Sequence, residues 1–227
     1  MKATRALALC ALLGDIVLSA VLYPKLPDTV PVHWNLSGQV DRYGSKLQVV
    51  LLGPLLIAGL WALMLVLSRV DPRRAVRADA AGTDVAPAEA DGSYWTVVHL
   101  LVVTLAVLHG GVLLAVSGIL QGPERVVAVA LALLLLLPGN FIGRLRPNWF
   151  VGIRTPWTLA SDDVWRRTHR LAAVLMVAGG LLLLPLALVL PGPAAIVAAV
   201  AVTLLATLGP AGWSYVAWRG TRGGRAR

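Results

Sequence analysis

The sequence is poor in cysteine, in charge and above all in acidic residues. Cys10 is the single cysteine among 227 residues, which excludes an intrachain disulfide and a cysteine-based metal cluster. Charged residues make up 14% of the chain, whereas soluble domains usually carry about 25%. The charges are bunched between long uncharged runs, and 58% of the residues are hydrophobic. These features exclude an ordinary soluble domain and predict a polytopic membrane protein.

Six apolar runs have lengths near that of a membrane-spanning helix, which needs ~20 residues to cross ~30 Å of hydrocarbon. The predicted spans are Ala6–Tyr23, Leu47–Ser68, Tyr94–Leu120, Val126–Gly143, Leu171–Leu190 and Ala194–Trp218. Asp15 interrupts the first run, which favours an uncleaved span over a signal peptide. We therefore predict an all-α fold, a polytopic transmembrane helix bundle of about six spans.

The positions of Lys and Arg predict the orientation of the bundle. The N-terminus carries 2 of them, the second loop 4, the fourth loop 6 and the tail 4, while the other three loops carry 3, 1 and none. The side of the membrane that holds both termini therefore carries 16 Lys and Arg, and the other side carries 4. Because positive residues concentrate in cytoplasmic loops, this difference predicts that both termini are cytoplasmic. The net charge of +9 thus reflects topology and contact with lipid headgroups, and we expect no direct binding of nucleic acid.

The chain divides into three predicted regions. Residues 1–70 hold the first two spans and an external loop with the run Pro31-Val32-His33-Trp34-Asn35. Residues 71–92, rich in Ala, Asp and Arg, have the composition of a flexible cytoplasmic linker. Residues 93–227 hold the last four spans and a cytoplasmic loop between the fourth and the fifth.

That cytoplasmic loop, residues 147–159, is the most unusual connection in the chain. It contains two Trp, two Pro, a Gly and an Arg, which make a shaped, rigid loop rather than a slack one. Thr155-Pro156 and Ser161-Asp162-Asp163 each have the composition of a helix start. Trp149, Trp157 and Trp165 are predicted to anchor the loop at the membrane interface.

The residues around this loop resemble the signature of the SdpI family. The matching positions are Asn140, Pro147-Asn148, Gly152-Ile153-Arg154-Thr155-Pro156-Trp157-Thr158-Leu159, Val164-Trp165 and Thr168-His169. Members of that family are bacterial membrane proteins that confer immunity to the sporulation-delaying-protein toxin. The resemblance implies a non-enzymatic protein of the bacterial cell membrane that protects against a membrane-active peptide toxin and signals its presence by binding a cytoplasmic repressor. The implied ligand- or partner-binding residues are Asn140, Asn148, Gly152, Arg154, Thr155, Pro156, Trp157, Thr158, Trp165 and His169.

The external loop resembles a domain of unknown function that often precedes the SdpI signature. We expect a toxin to meet this loop at His33, Trp34 and Asn35. His33 and Asp41 alone are a weak signal for a metal site, so a packed loop with a hydrogen-bonded histidine is the favoured interpretation. No metal or other cofactor is expected.

Asp15 is the only carboxylate inside a predicted span, and His99 and His109 of the third span are its candidate partners. A bare carboxylate is costly there, so Asp15 is expected to pair with one of the histidines, which are spaced to share a helix face. A structural hydrogen bond between helices is favoured over a proton relay. The relay motivates one alternative function, a small proton-coupled transporter, and the polar loops motivate another, a membrane enzyme acting on a lipid or cell-wall precursor.

Overall fold

The computed structural model describes residues 2–35, 39–73 and 92–223. Its elements are α1 (Lys2–Leu22), a 3-10 turn (Tyr23–Lys25), β1 (Thr29–Trp34), β2 (Val40–Ser45), α2 (Lys46–Arg69), α3 (Gly92–Val116), α4 (Pro123–Ile142), α5 (Pro156–Ala160), α6 (Asp162–Val189) and α7 (Gly192–Gly223). The predicted linker falls largely on residues 74–91, outside the described residues.

Six helices within the described ranges are long and apolar enough to cross a membrane, which confirms the predicted class of fold. They are α1, α2, α3, α4, α6 and α7. The chain alternates between two ends of the bundle. The β-strands and the starts of α4 and α7 lie at one end, here called the hairpin face. The end of α2, residues 143–161 and the start of α6 lie at the other, here called the loop face.

The helices pack around α3 and α4. Helix α3 contacts α1, α2 and α4, while α4 contacts α6 and α7, so α3 joins the first two spans to the last three. The largest apolar cluster lies between α3, α4, α6 and α7 and includes Trp95, Leu135, Trp165 and Leu183. Many large side chains on α1, α2 and α7 are exposed, as expected for surfaces that face lipid.

Glycines bring α6 close to its neighbours. A Cβ built on Gly180 would lie 2.8 Å from the Ala132 carbonyl oxygen of α4. On the same pair of helices, a Cβ on Gly139 would lie 2.8 Å from the Met176 side chain. Small residues therefore set the separation of α4 and α6, as they commonly do between membrane helices.

The loop between the first two spans folds into an antiparallel β-hairpin, which the sequence analysis did not predict. Strands β1 and β2 pair in a register from Thr29–Ser45 to Trp34–Val40, with irregularities around His33. The hairpin passes directly into α2, because Ser45 ends β2 and its side chain accepts the Gln48 N–H as the N-cap of the helix. Residues 36–38, which connect the two strands, lie outside the described ranges.

Substitution of Gly180 tests the close approach of α4 and α6. Gly180→Ala places a methyl group against a backbone oxygen that cannot move freely, so we expect a loss of about 1–3 kcal/mol in the free energy of unfolding. Gly59→Ala in α2 is the control, because a Cβ there meets no atom within 4 Å. It should leave stability unchanged or raise it by up to about 1 kcal/mol.

The measurement is unfolding of each variant in mixed dodecyl maltoside and SDS micelles, followed by circular dichroism. Equal stability of the Gly180→Ala and Gly59→Ala variants would contradict the predicted packing.

Candidate functional site

The loop between α4 and α6 is built from two capped helix starts, as predicted. Thr155 caps α5, its hydroxyl accepting the Thr158 N–H at 3.3 Å, and Pro156 occupies the first turn. Ser161 caps α6 and accepts the Val164 N–H at 3.4 Å. Asp162 and Asp163 follow in the first turn of α6, where their charge complements the helix dipole.

Asn148 fixes the first turn of the loop. Its side chain is 2% exposed. Its amide nitrogen donates to the carbonyls of Arg146 and Val151, both at 3.1 Å, and its oxygen accepts the N–H groups of Phe150 and Val151. A buried Asn that uses both ends of its amide in this way substitutes for regular secondary structure.

His169 of α6 packs against the loop and hydrogen-bonds to its backbone. Its Nδ1 lies 2.9 Å from the Trp165 carbonyl oxygen, and its Nε2 lies 3.0 Å from the Ile153 N. Since a carbonyl only accepts and an N–H only donates, these partners require a neutral imidazole with the proton on Nδ1. The ring packs against Gly152, which has a φ of +112° and no space for a Cβ. Gly152 and His169 are therefore one structural unit.

Trp165 completes the buried support. Its indole stacks on the His169 ring at a centroid distance of 4.0 Å, and its Nε1–H donates to the Leu145 carbonyl at 2.8 Å. Trp165 and His169 are both 0% exposed. The prediction that Trp165 anchors the loop at the interface was therefore wrong, because residue 165 faces the protein core from the first turns of α6.

Trp157 and Thr155 attach the loop to α7, whereas Thr158 is hydrogen-bonded within the loop. The Trp157 Nε1–H donates to the Ser214 hydroxyl, and Thr155 Oγ1 lies 3.0 Å from the same oxygen. The Trp157 ring also packs near Tyr215, with 5.0 Å between centroids. Thr158 is fully buried, and its hydroxyl lies 2.9 Å from the Ile153 carbonyl oxygen. Ser214, which no sequence motif indicated, is thus part of the site.

Arg154 lies on the exposed rim of the site. Its guanidinium donates to the Trp149 carbonyl at 2.7 Å, and the Trp149 side chain is 44% exposed. The neighbouring side chains of Arg144 and Arg146 are also exposed. These four exposed residues, three arginines and one tryptophan, are here called the basic rim. Asn140 is exposed near the end of α4 and is not one of the residues that build the loop.

The first residues of the predicted linker dock onto the site. Asp71 is 4% exposed, and its carboxylate accepts the Arg73 N–H and the Trp149 N–H. The Arg73 guanidinium donates to the Leu159 carbonyl and lies 3.2 Å from the Asp162 carboxylate. Asp71-Pro72 has the composition of a helix start, and this signal could have predicted an ordered segment here.

The intramembrane polar residues separate into two groups. Asp15 of α1 pairs with His109 of α3 at 2.8 Å, and the other ring nitrogen of His109 lies 3.0 Å from the Val49 carbonyl oxygen of α2. His99 instead lies 3.2 Å from the Thr4 hydroxyl and stacks on Trp95. Both histidines face α1, as their spacing predicted, but they belong to different contacts: His109 pairs with Asp15, and His99 with Thr4.

On the hairpin face, His33 pairs with Asp41 at 2.5 Å, and both side chains are largely exposed. Within the described residues no cluster of three potential metal ligands is found. At the base of the hairpin Lys46 donates to Asp28 at 2.9 Å, and this hydrogen bond keeps the pKa of the Asp28 carboxyl below its usual value. Trp34 is partly exposed and Asn35 is exposed, so all three predicted contact residues are accessible at this face.

The fold and the two faces define a multi-pass membrane protein with a structured connection after its fourth span. Residues 144–214 match the SdpI/YfhL protein family, and residues 10–58 match a domain of unknown function (DUF1648). The chain is 22% identical to Immunity protein SdpI of Bacillus subtilis (strain 168) over an aligned region of 166 residues. This region covers 73% of this chain and 72% of that protein. No solved structure matches. The resemblance inferred from the sequence is therefore confirmed.

The effects of substituting Asp15 and His109 on the free energy of unfolding should not be additive. Asp15→Leu leaves His109 without its carboxylate partner, so we expect a loss of about 3–5 kcal/mol in the free energy of unfolding. The double variant Asp15→Leu/His109→Leu removes both polar groups and should recover most of that loss. Micelle unfolding of the two single variants and the double variant measures the coupling, and additive losses would contradict it.

The acceptor role of His169 can be tested separately from its packing. His169→Phe keeps an aromatic ring beside Trp165 but leaves the Ile153 N–H without an acceptor, so we expect a loss of about 1–3 kcal/mol. Limited proteolysis at residues 147–158 should also become faster. Arg170→Gln, an exposed change on the next residue, is the control and should alter neither measurement. An unchanged proteolysis rate for His169→Phe would refute the assigned role.

Proposed function

We propose that this chain protects its cell against a membrane-active peptide toxin, as an immunity protein of the SdpI type. The similarity to Immunity protein SdpI over 73% of the chain is the observation that carries this proposal. The family match includes the loop with its supporting residues Trp165 and His169, and extends to Ser214. The family-matched region thus contains the segment of the chain in which side chains replace regular secondary structure.

We propose further that the loop face lies in the cytoplasm and the hairpin face outside the cell. The basic rim supports this orientation, because Arg residues concentrate on the cytoplasmic side of membrane proteins. A soluble repressor with an acidic surface would bind the basic rim, with Trp149 as the apolar contact. The toxin would meet the protein at His33, Trp34 and Asn35, on the opposite face.

A connection between the two faces is available through α2. The helix begins at the Ser45 cap beside the hairpin and ends next to Asp71, which accepts the Trp149 N–H. Arg73 adds contacts to Leu159 and Asp162. A toxin that binds one position of α2 more tightly than another would therefore change the surroundings of the basic rim.

The test is survival of a sensitive bacterial host challenged with the sporulation-delaying-protein toxin. Cells that express the chain should survive where cells with the empty vector do not. Trp157→Ala, which loses the hydrogen bond to Ser214 and the packing on Tyr215, should abolish protection, and Arg154→Ala should weaken it. Trp157→Phe retains a ring there and should keep more protection than Trp157→Ala.

Two controls accompany this experiment. Immunoblots of the membrane fraction must show equal amounts of each variant. Labelling with an impermeant maleimide, in a Cys10→Ala background, should modify Tyr43→Cys on intact cells and Ala160→Cys only after lysis. Survival equal to that of the empty vector would reject immunity, and labelling of Ala160→Cys on intact cells would reject the orientation.

A further inference from the structure

A cleft on the hairpin face separates β1 from the first turns of α4 and α7. It is lined by Val32, His33, Trp34, Asn35, Pro123, Glu124, Val127, Pro193 and Ile196, and its volume is about 260 Å³. Sites for whole small molecules usually measure about 300–1,000 Å³. The cleft is therefore large enough for one or two side chains of a peptide rather than for an entire ligand.

Glu124 is the one carboxylate that lines this cleft. The side chain lies against Gly192 at the start of α7, where a Cβ would overlap it, and a Cβ on Gly122 would lie 3.0 Å from its Oε1. Two glycines thus leave the space that the Glu124 side chain occupies. Among the described residues, no side chain forms an ion pair with it.

Glu124 lies at the N-terminal ends of two helices, in the first turn of α4 and against the first residue of α7. Trp34 of β1 lines the same cleft, and Val127 and Ile196 add apolar residues. A carboxylate together with an indole is the combination that binds an ammonium or guanidinium group and its apolar stem.

We propose that this cleft, the residue 124 cleft, binds a positively charged side chain of an amphipathic peptide, with Glu124 as the ionic partner and Trp34 as the apolar wall. The inference rests on the proposed function for the source of the peptide. It adds the chemistry of recognition, a cation beside an apolar segment, and a residue on α4 that no motif of the loop or the hairpin indicated. The peptide lies along the membrane surface and inserts one basic side chain between hairpin and helices.

The experiment compares two fluorescein-labelled amphipathic peptides of one sequence, one with free lysines and one with every lysine acetylated. Each is titrated with the full chain in dodecyl maltoside micelles, whose headgroups carry no charge, and binding is followed by fluorescence anisotropy. The lysine peptide should bind and the acetylated peptide should bind at least about tenfold more weakly, since one contact to a charged group is lost.

Glu124→Gln should weaken binding of the lysine peptide by about tenfold. Trp34→Leu should weaken binding of both peptides. Asp28→Asn is the matched control, because Asp28 is an exposed carboxylate at the hairpin that does not line the cleft, and binding should be unchanged. Equal affinities of the Glu124→Gln and Asp28→Asn variants, or equal binding of the two peptides, would overturn the proposal.

Two further outcomes are distinct. If the lysine peptide does not bind while phosphatidylethanolamine added to the micelles binds in a Glu124-dependent way, the cleft holds a lipid headgroup and the proposal is wrong. Failure of the unsubstituted chain to protect challenged cells rejects the proposed function but leaves the micelle comparison valid. If the Glu124→Gln variant still protects cells and still binds the lysine peptide with unchanged affinity, the proposed role of the cleft is wrong, while the proposed immunity function is not contradicted.

Discussion

The loop face depends on one imidazole in one tautomer. Residues 143–155 are neither helix nor strand, yet they lie beside a membrane, where unsatisfied backbone groups are costly. His169 meets this constraint because its Nε2 accepts the Ile153 N–H while its Nδ1–H donates to the Trp165 carbonyl. The flat ring also fits under Gly152, the one loop residue with positive φ. Trp165 fixes the position of that ring by stacking on it. Two stacked aromatic side chains of α6 therefore support the loop.

The loop is attached to other helices besides α4 and α6, so its position depends on the packing of the whole bundle. Trp157 and Thr155 contact Ser214 of α7, and Asp71, just past the end of α2, accepts the Trp149 N–H. The residues that converge on the loop thus come from three distant parts of the sequence. A shift of α2 or α7 would move the loop as a rigid unit. The reason is that most hydrogen bonds of the loop are made within the loop, and few join it to α2 and α7.

The sequence predicted what depends on composition and local spacing. Six spans follow from apolar length, and the caps Thr155 and Ser161 follow from side chains that accept nearby N–H groups. It did not predict contacts that need the third dimension. Trp165 has the composition of an interface anchor and only its place in α6 makes it a core residue, while Asp15 had two histidines within reach and only helix packing selects His109. The β-hairpin was missed because prolines and a short polar run favour a loop when the strand partner is unknown.

The two faces differ in a way that bears on how one could act on the other. On the loop face, polar groups such as Asn148, Thr158 and His169 are buried and hydrogen-bonded, so this face has one well-defined arrangement. On the hairpin face, the cleft beside Glu124 separates the hairpin from α4 and α7, while the hairpin contacts α2 and its Val30 packs in a cluster with Leu113 of α3. A ligand that closed this cleft would pull on α2, whose far end contacts the loop. Under the proposed function, differential binding at the hairpin face would reach the loop face as a displacement of α2, without any unfolding of the loop.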